Sequence, residues 1–112
     1  MKENVSNYLL KLGFSPNKMG YRYLHELISM GLDSEKILPL KHNGYKALSK
    51  KYLKSVETIE KDIQNAISIA WLKGNVDIIY EEFGETIDVD RGKPSNKQFI
   101  MTAIIKLERE IA

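Results

Sequence analysis

An all-α fold is predicted for this 112-residue sequence. Three observations carry that expectation. Apolar residues recur at helical spacing through most of the chain. Glycines and prolines interrupt those runs about once per helix length. No two alternating segments offer a strand and a partner for it. About six helices around one core, built on a helix-turn-helix over about 44–73, are expected, with residues 1–112 forming a single domain.

The elements follow in order. Val5, Tyr8, Leu9 and Leu12 make one apolar stripe, which Gly13 stops. Pro16 and Gly20 punctuate a turn, and Tyr21, Leu24, Leu27 and Ile28 make a second stripe ahead of Gly31. Asp33 or Ser34 is placed to cap a short helix through Ile37 and Leu38, ended by Pro39. A loop follows to Gly44. Tyr45, Leu48 and Tyr52 define a short amphipathic helix. Ser55 then reads as an N-cap with Glu57 in the first turn, where a carboxylate suits the helix dipole.

The clearest period comes next. Val56, Ile59, Ile63, Ala66, Ile67, Ala70 and Trp71 fall within one arc of roughly 140°. Trp71 lies on that arc, so it belongs to the core rather than to base stacking. Gly74 ends the helix. Asn75 is placed to cap another that carries Val76, Ile79, Tyr80 and Phe83 as far as Gly84. Residues 85–94 read as a loop or short extended segment. Ser95 with Gln98 then forms a capping box for a last helix with Phe99, Ile100, Ala103, Ile104 and Leu107 inward.

Composition narrows the chemistry. The chain has no cysteine, which removes disulfides, cysteine zinc sites and thiol nucleophiles. His25 and His42 are 17 positions apart with no metal-binding spacing, and Asp88 with Asp90 falls short of an oxygen cage, so no metal is expected. There is no phosphate loop or dinucleotide fingerprint, because Pro94 follows Gly92-Lys93. No catalytic constellation remains, so neither enzyme activity nor a cofactor is expected. The start carries Glu3 and no long apolar core, and no apolar run approaches the ~20 residues that span a bilayer. A cytoplasmic protein without a membrane partner is the expectation.

The net charge of +2 hides a separation of sign. Residues 41–61 hold six lysines (Lys41, Lys46, Lys50, Lys51, Lys54, Lys61) against Glu57 and Glu60, whereas residues 75–90 hold six acids and no base. Lysines clustered at a helix-turn-helix suit phosphate contacts, with Lys50, Lys51, Lys54 and Ser55 the candidates and Lys93 a further one. Small Ser49 falls where the two helices approach. The turn lacks its usual glycine, and Leu53 stands near that place. Helical angles turn Glu57, Thr58, Lys61, Gln64, Asn65 and Ser68 away from the apolar arc, with Glu60 at its edge. Side chains of these types can read base edges in the major groove.

The strings AISIAWLKGNVD and FGETIDVDRGKPSNKQFI, with GYRYLHELI, LSKKY and SVETIEKDI in order, resemble the C-terminal DNA-binding domain of the stage-zero sporulation master regulator of endospore-forming Firmicutes. The resemblance runs from about residue 5 to 108. It implies a winged-helix-like effector domain without a developed wing. It also implies binding of double-stranded DNA, often as subunits on tandem sites, and control of transcription.

Carried over by position, the family's base-contacting places fall on Thr58, Glu60, Lys61 and Gln64, with Asn65 beside them. The family typically has arginine where Thr58, Lys61 and Gln64 stand, and each lost bidentate contact removes ~1–3 kcal/mol of discrimination. A different DNA box or weaker binding is therefore implied. The stretch that touches RNA polymerase and its sigma subunit in the family matches about 75–87, with Asp77, Glu81, Glu82 and Glu85 as its acids. The family's receiver domain has no counterpart in this sequence, so a standalone relative is expected. The second expectation is a protein-interaction module that modulates a full-length regulator or polymerase without specific DNA reading.

Overall fold

The computed structural model describes residues 2–74, 76–84 and 92–111. Six helices account for most of them: α1 (Lys2–Lys11), α2 (Met19–Leu32), α3 (Gly44–Tyr52), α4 (Val56–Lys73), α5 (Val76–Phe83) and α6 (Asn96–Ile111). No strand occurs among the described residues. The all-α expectation is met.

Helix α2 is the centre of the packing and touches α1, α4 and α6, while α3 and α6 also pack on α4. The inward stripes are the ones the 3.6-residue period picked out. Val5, Leu9 and Leu12 of α1, Leu24, Leu27 and Ile28 of α2, Ile59, Ile63 and Ala70 of α4, and Phe99, Ile100 and Ala103 of α6 are all buried in one continuous core. Truncating a buried Leu or Ile here to Ala costs about 2–5 kcal/mol. The aromatic part of the core joins α5 to the rest. Phe83 stacks on Phe99 at 5.0 Å, and Trp71 meets both edge-on at 5.3 and 5.9 Å. Trp71 is partly buried and packed against the core, on the side its place on the apolar arc predicts.

The helix ends are locally encoded. Gly13 takes φ +101°, and the Phe14 amide returns to the Leu9 carbonyl at 3.1 Å, so α1 closes on a left-handed glycine. The Ser95 hydroxyl accepts from the Gln98 amide at 3.2 Å while the Gln98 side chain accepts from the Ser95 amide at 3.0 Å. That reciprocal pair is the capping box read from the sequence.

Three expectations fail. The short helix through Ile37 and Leu38 does not form. Ser34 adopts φ 64°, and the Glu35 amide bonds the Met30 carbonyl at 2.9 Å. Ser34 therefore finishes α2 as a left-handed cap instead of starting a new helix. Gly20 lies inside the first turn of α2 and is buried. A Cβ there would come within 2.6 Å of the Ala66 Cβ and collide with the Asp62 carbonyl. Its role is a close helix crossing, not a turn. Tyr80 is 63% exposed rather than part of the core. The proposed Asn75 cap, and residues 85–91 of the expected loop or short extended segment over 85–94, lie outside the described residues.

Candidate nucleic-acid interface

Helices α3 and α4 are joined by Leu53, Lys54 and Ser55. Leu53 occupies the left-handed region (φ 55°, ψ 44°), the conformation that glycine ordinarily supplies in such turns. Its amide and that of Lys54 both return to the Ser49 carbonyl, the latter at 3.3 Å. The Ser49 hydroxyl donates to the Lys54 carbonyl. The small residue read at this crossing thus also closes the turn.

Ser55 caps α4 by accepting from the Thr58 amide at 3.1 Å, and its hydroxyl donates to Thr58 Oγ1 at 2.9 Å. The Ser55 hydroxyl is engaged within the helix start in both directions. On the inner side of α4, Ile59, Ile63, Ala66, Ile67 and Ala70 are buried. On the outer side Glu57, Thr58, Lys61, Gln64 and Asn65 are exposed, and Glu60 and Ser68 are half-buried. The candidate base readers therefore share one exposed face, except that Glu60 sits at its edge.

The candidate phosphate lysines divide into two kinds. Lys50 and Lys54 are exposed beside the turn. The Lys51 ammonium instead pairs with the Glu26 carboxylate on α2, and it lies 5.5 Å from the centre of the Tyr52 ring. Glu26 also accepts from the Tyr52 hydroxyl. Burial, reinforced by that bond to a carboxylate, pushes the Tyr52 phenol up to about 12. Lys93, remote in sequence, donates to the Ser68 hydroxyl and so lies against the outer side of α4.

On the acidic side, Glu81 is exposed and Glu82 is tucked inward. Glu82 lies 3.5 Å from Lys11 and 3.9 Å from Lys106, and it accepts from the Tyr8 hydroxyl at 3.5 Å. Burial and this carboxylate hold the Tyr8 phenol well above its usual value. Glu82 thereby ties α5 to α1 and α6. Asp77 is exposed on the first turn of α5, and Glu85, Asp88 and Asp90 lie outside the described residues.

A cleft of ≈ 620 Å³ runs along one flank of α4. Glu60, Gln64 and Ile67 form its α4 wall, the loop at Leu38–His42 forms a second, and Lys93–Lys97 forms a third. Asn96 bridges these parts by donating to the Tyr45 hydroxyl at 3.2 Å and to the Glu60 carbonyl at 3.1 Å. Sequence reasoning found Lys93 but missed Lys97 and Asn96, and it gave His42 no role. No local pattern links positions fifty residues apart. The other histidine, His25, is paired with Ser6 at 3.1 Å.

No helix of the described chain is long and apolar enough to cross a membrane. The family model described as sporulation initiation factor Spo0A, C terminal, matches residues 5–107. The chain belongs to that family, whose members are regulatory DNA-binding effector domains rather than enzymes.

Proposed function

We propose that this effector domain is a cytoplasmic, sequence-specific transcriptional regulator that reads the major groove of double-stranded DNA with α4. The observation that carries the reading is the exposed polar face of α4, seated on a capped N-terminus beside exposed Lys50 in the last turn of α3 and exposed Lys54 in the connecting turn. Thr58, Glu60, Lys61, Gln64 and Asn65 would contact bases. A lysine donates to guanine, an amide side chain pairs with adenine, and a carboxylate accepts from cytosine. Lys50, Lys51, Lys54 and Lys93 would hold phosphates, with Ser55 contributing from the helix start.

In this assignment Lys51 must exchange Glu26 for a phosphate, so its contribution is smaller than that of Lys54. The acidic face of α5, with Asp77 and Glu81 outward, is assigned to polymerase or its sigma subunit. Glu82 can join that contact only by giving up its ties to Lys11 and Lys106. One domain per subunit, with two subunits on tandem boxes, completes the proposal.

Selection from a random duplex library tests it. A single enriched motif is expected, and it should differ from a box read by three arginines, because Thr58, Lys61 and Gln64 offer different donors. A folded protein that enriches no motif would overturn specific reading. It would leave the protein-interaction module as the better account.

A further inference from the structure

We propose that the cleft beside α4 is a second backbone-binding site for the same DNA, in which Lys41 and Lys97 grip phosphates of the strand that passes along the Glu60–Gln64 flank. The inference rests on the major-groove reading above and adds residues to it.

A helix seated in the major groove has a sugar–phosphate backbone on each flank. Lys50 and Lys54 serve the end of α4 where the turn lies. The cleft lies along a flank, and Gln64 belongs both to its wall and to the exposed base-reading face. Among the described residues its rim carries three lysines, Lys41, Lys93 and Lys97, together with the imidazole of His42, against one carboxylate, that of Glu60. Lys41, His42 and Lys97 are exposed. These groups come from two stretches about fifty residues apart in the chain, and the fold alone assembles them. Charge complementarity thus favours a polyanion over a neutral or cationic partner.

Both banks stand on pinned backbone. Asn43 Nδ2 donates to the Leu38 carbonyl at 2.7 Å, the Gly44 amide to Ile37 at 3.0 Å and the Tyr45 amide to Leu40 at 2.6 Å. The opposite bank is set by the Ser95–Gln98 capping box and by the bonds of Asn96 to Tyr45 and Glu60. Helix α6 starts on this bank, so the positive end of its dipole adds to the same field. Side chains on such fixed supports lose little backbone entropy on binding, as a clamp requires.

The test uses the full chain and a duplex carrying the selected motif. Lys41→Ala, Lys97→Ala and the pair are compared with Arg109→Ala, a charge removed from the far end of α6. Affinity is measured over a range of salt, and methylphosphonate substitutions neutralise one phosphate at a time. Each cleft lysine should lower the salt slope by about 0.9 and abolish sensitivity to its own neutralised phosphate. Sequence preference and the Arg109→Ala slope should stay unchanged.

Unchanged slopes in the Lys41 and Lys97 variants, with Gln64→Ala still altering the preferred base, would overturn the clamp and leave the major-groove reading intact. If the wild-type chain selects no motif, that reading fails, and the clamp fails with it as a specific-complex site. Inorganic phosphate is titrated as a separate arm. Lysine-dependent phosphate binding without any change in duplex affinity would mark a small-anion site and overturn the proposal.

Discussion

The two sides of α4 are made from the same eighteen residues and obey different rules. The inner side is fixed by contact. Gly20 lets α2 approach so closely that a single methyl group would strike the backbone of α4 at Asp62. Most of the outer side is exposed, touched among the described residues by Lys93 at Ser68 and by Asn96 at the Glu60 carbonyl, and its side chains can differ in donors, acceptors and charge without changing the core. Changes on the inner side should therefore act on stability, and changes on the outer side on DNA, with little crossing over.

The largest effect is expected where the helices cross. Gly20→Val should destabilise the chain by about 3 kcal/mol or more, since overpacking commonly costs ~1–3 kcal/mol and here the obstacle is backbone. The urea midpoint measures it. A variant as stable as the wild type would break the contrast between the two sides.

Next come Lys61→Ala and Gln64→Ala, each expected to remove ~1–3 kcal/mol of discrimination at one base position. Competition binding against single-base variants of the selected site reads that loss, and thermal melting should be nearly unchanged. An equal loss on cognate and random duplexes would show that these residues act as unspecific contacts.

A smaller effect separates two lysines of the same helix-turn-helix. Lys54→Ala should flatten the salt dependence by about 0.9 in log–log slope. Lys51→Ala should flatten it less, because Glu26 already neutralises that ammonium. In a Glu26→Gln background the two lysines should become equal, which a double-mutant cycle measures directly. A persisting difference would dissociate the ion pair from DNA binding.

The smallest effect is at Leu53. The left-handed conformation costs a non-glycine residue ~1–2 kcal/mol, and glycine returns part of that gain through unfolded-state entropy. Leu53→Gly should raise stability by less than about 1 kcal/mol, seen as a small increase in the melting temperature.

Much of the helical framework was legible because its signals are local. The stripes Val5–Leu12, Ile59–Ala70 and Phe99–Leu107 face inward as their period requires, and Ser55, Gly13 and the Ser95–Gln98 box end or start helices through atoms a few residues apart. The misreadings have a common cause. Ser34 has the chemistry of an N-cap, yet it caps the end of α2 in a conformation its residue type does not advertise. Gly20 resembles a turn residue because glycine's other use, permitting two helices to touch, requires knowing where Asp62 and Ala66 lie. Tyr80 falls near the apolar stripe of α5 but faces solvent.

The candidate site divides in the same way. Thr58, Lys61, Gln64 and Asn65 could be assigned to one outward face by angle alone, because a helix converts spacing into direction. That Lys51 is held by Glu26 could not, nor that Glu82 is bound between α1 and α6, since those partners are set by packing across the chain.

The sequence by itself determined that this protein is helical, where most of its helices run and which face of α4 is polar, for periodicity and capping are short-range properties written in neighbouring residues. Only the tertiary structure decided which lysines are committed to partners within the fold and that the loop at Lys41 and the start of α6 meet beside α4. Those are long-range juxtapositions, selected by how the core packs around Gly20 and Phe99 rather than by any local pattern.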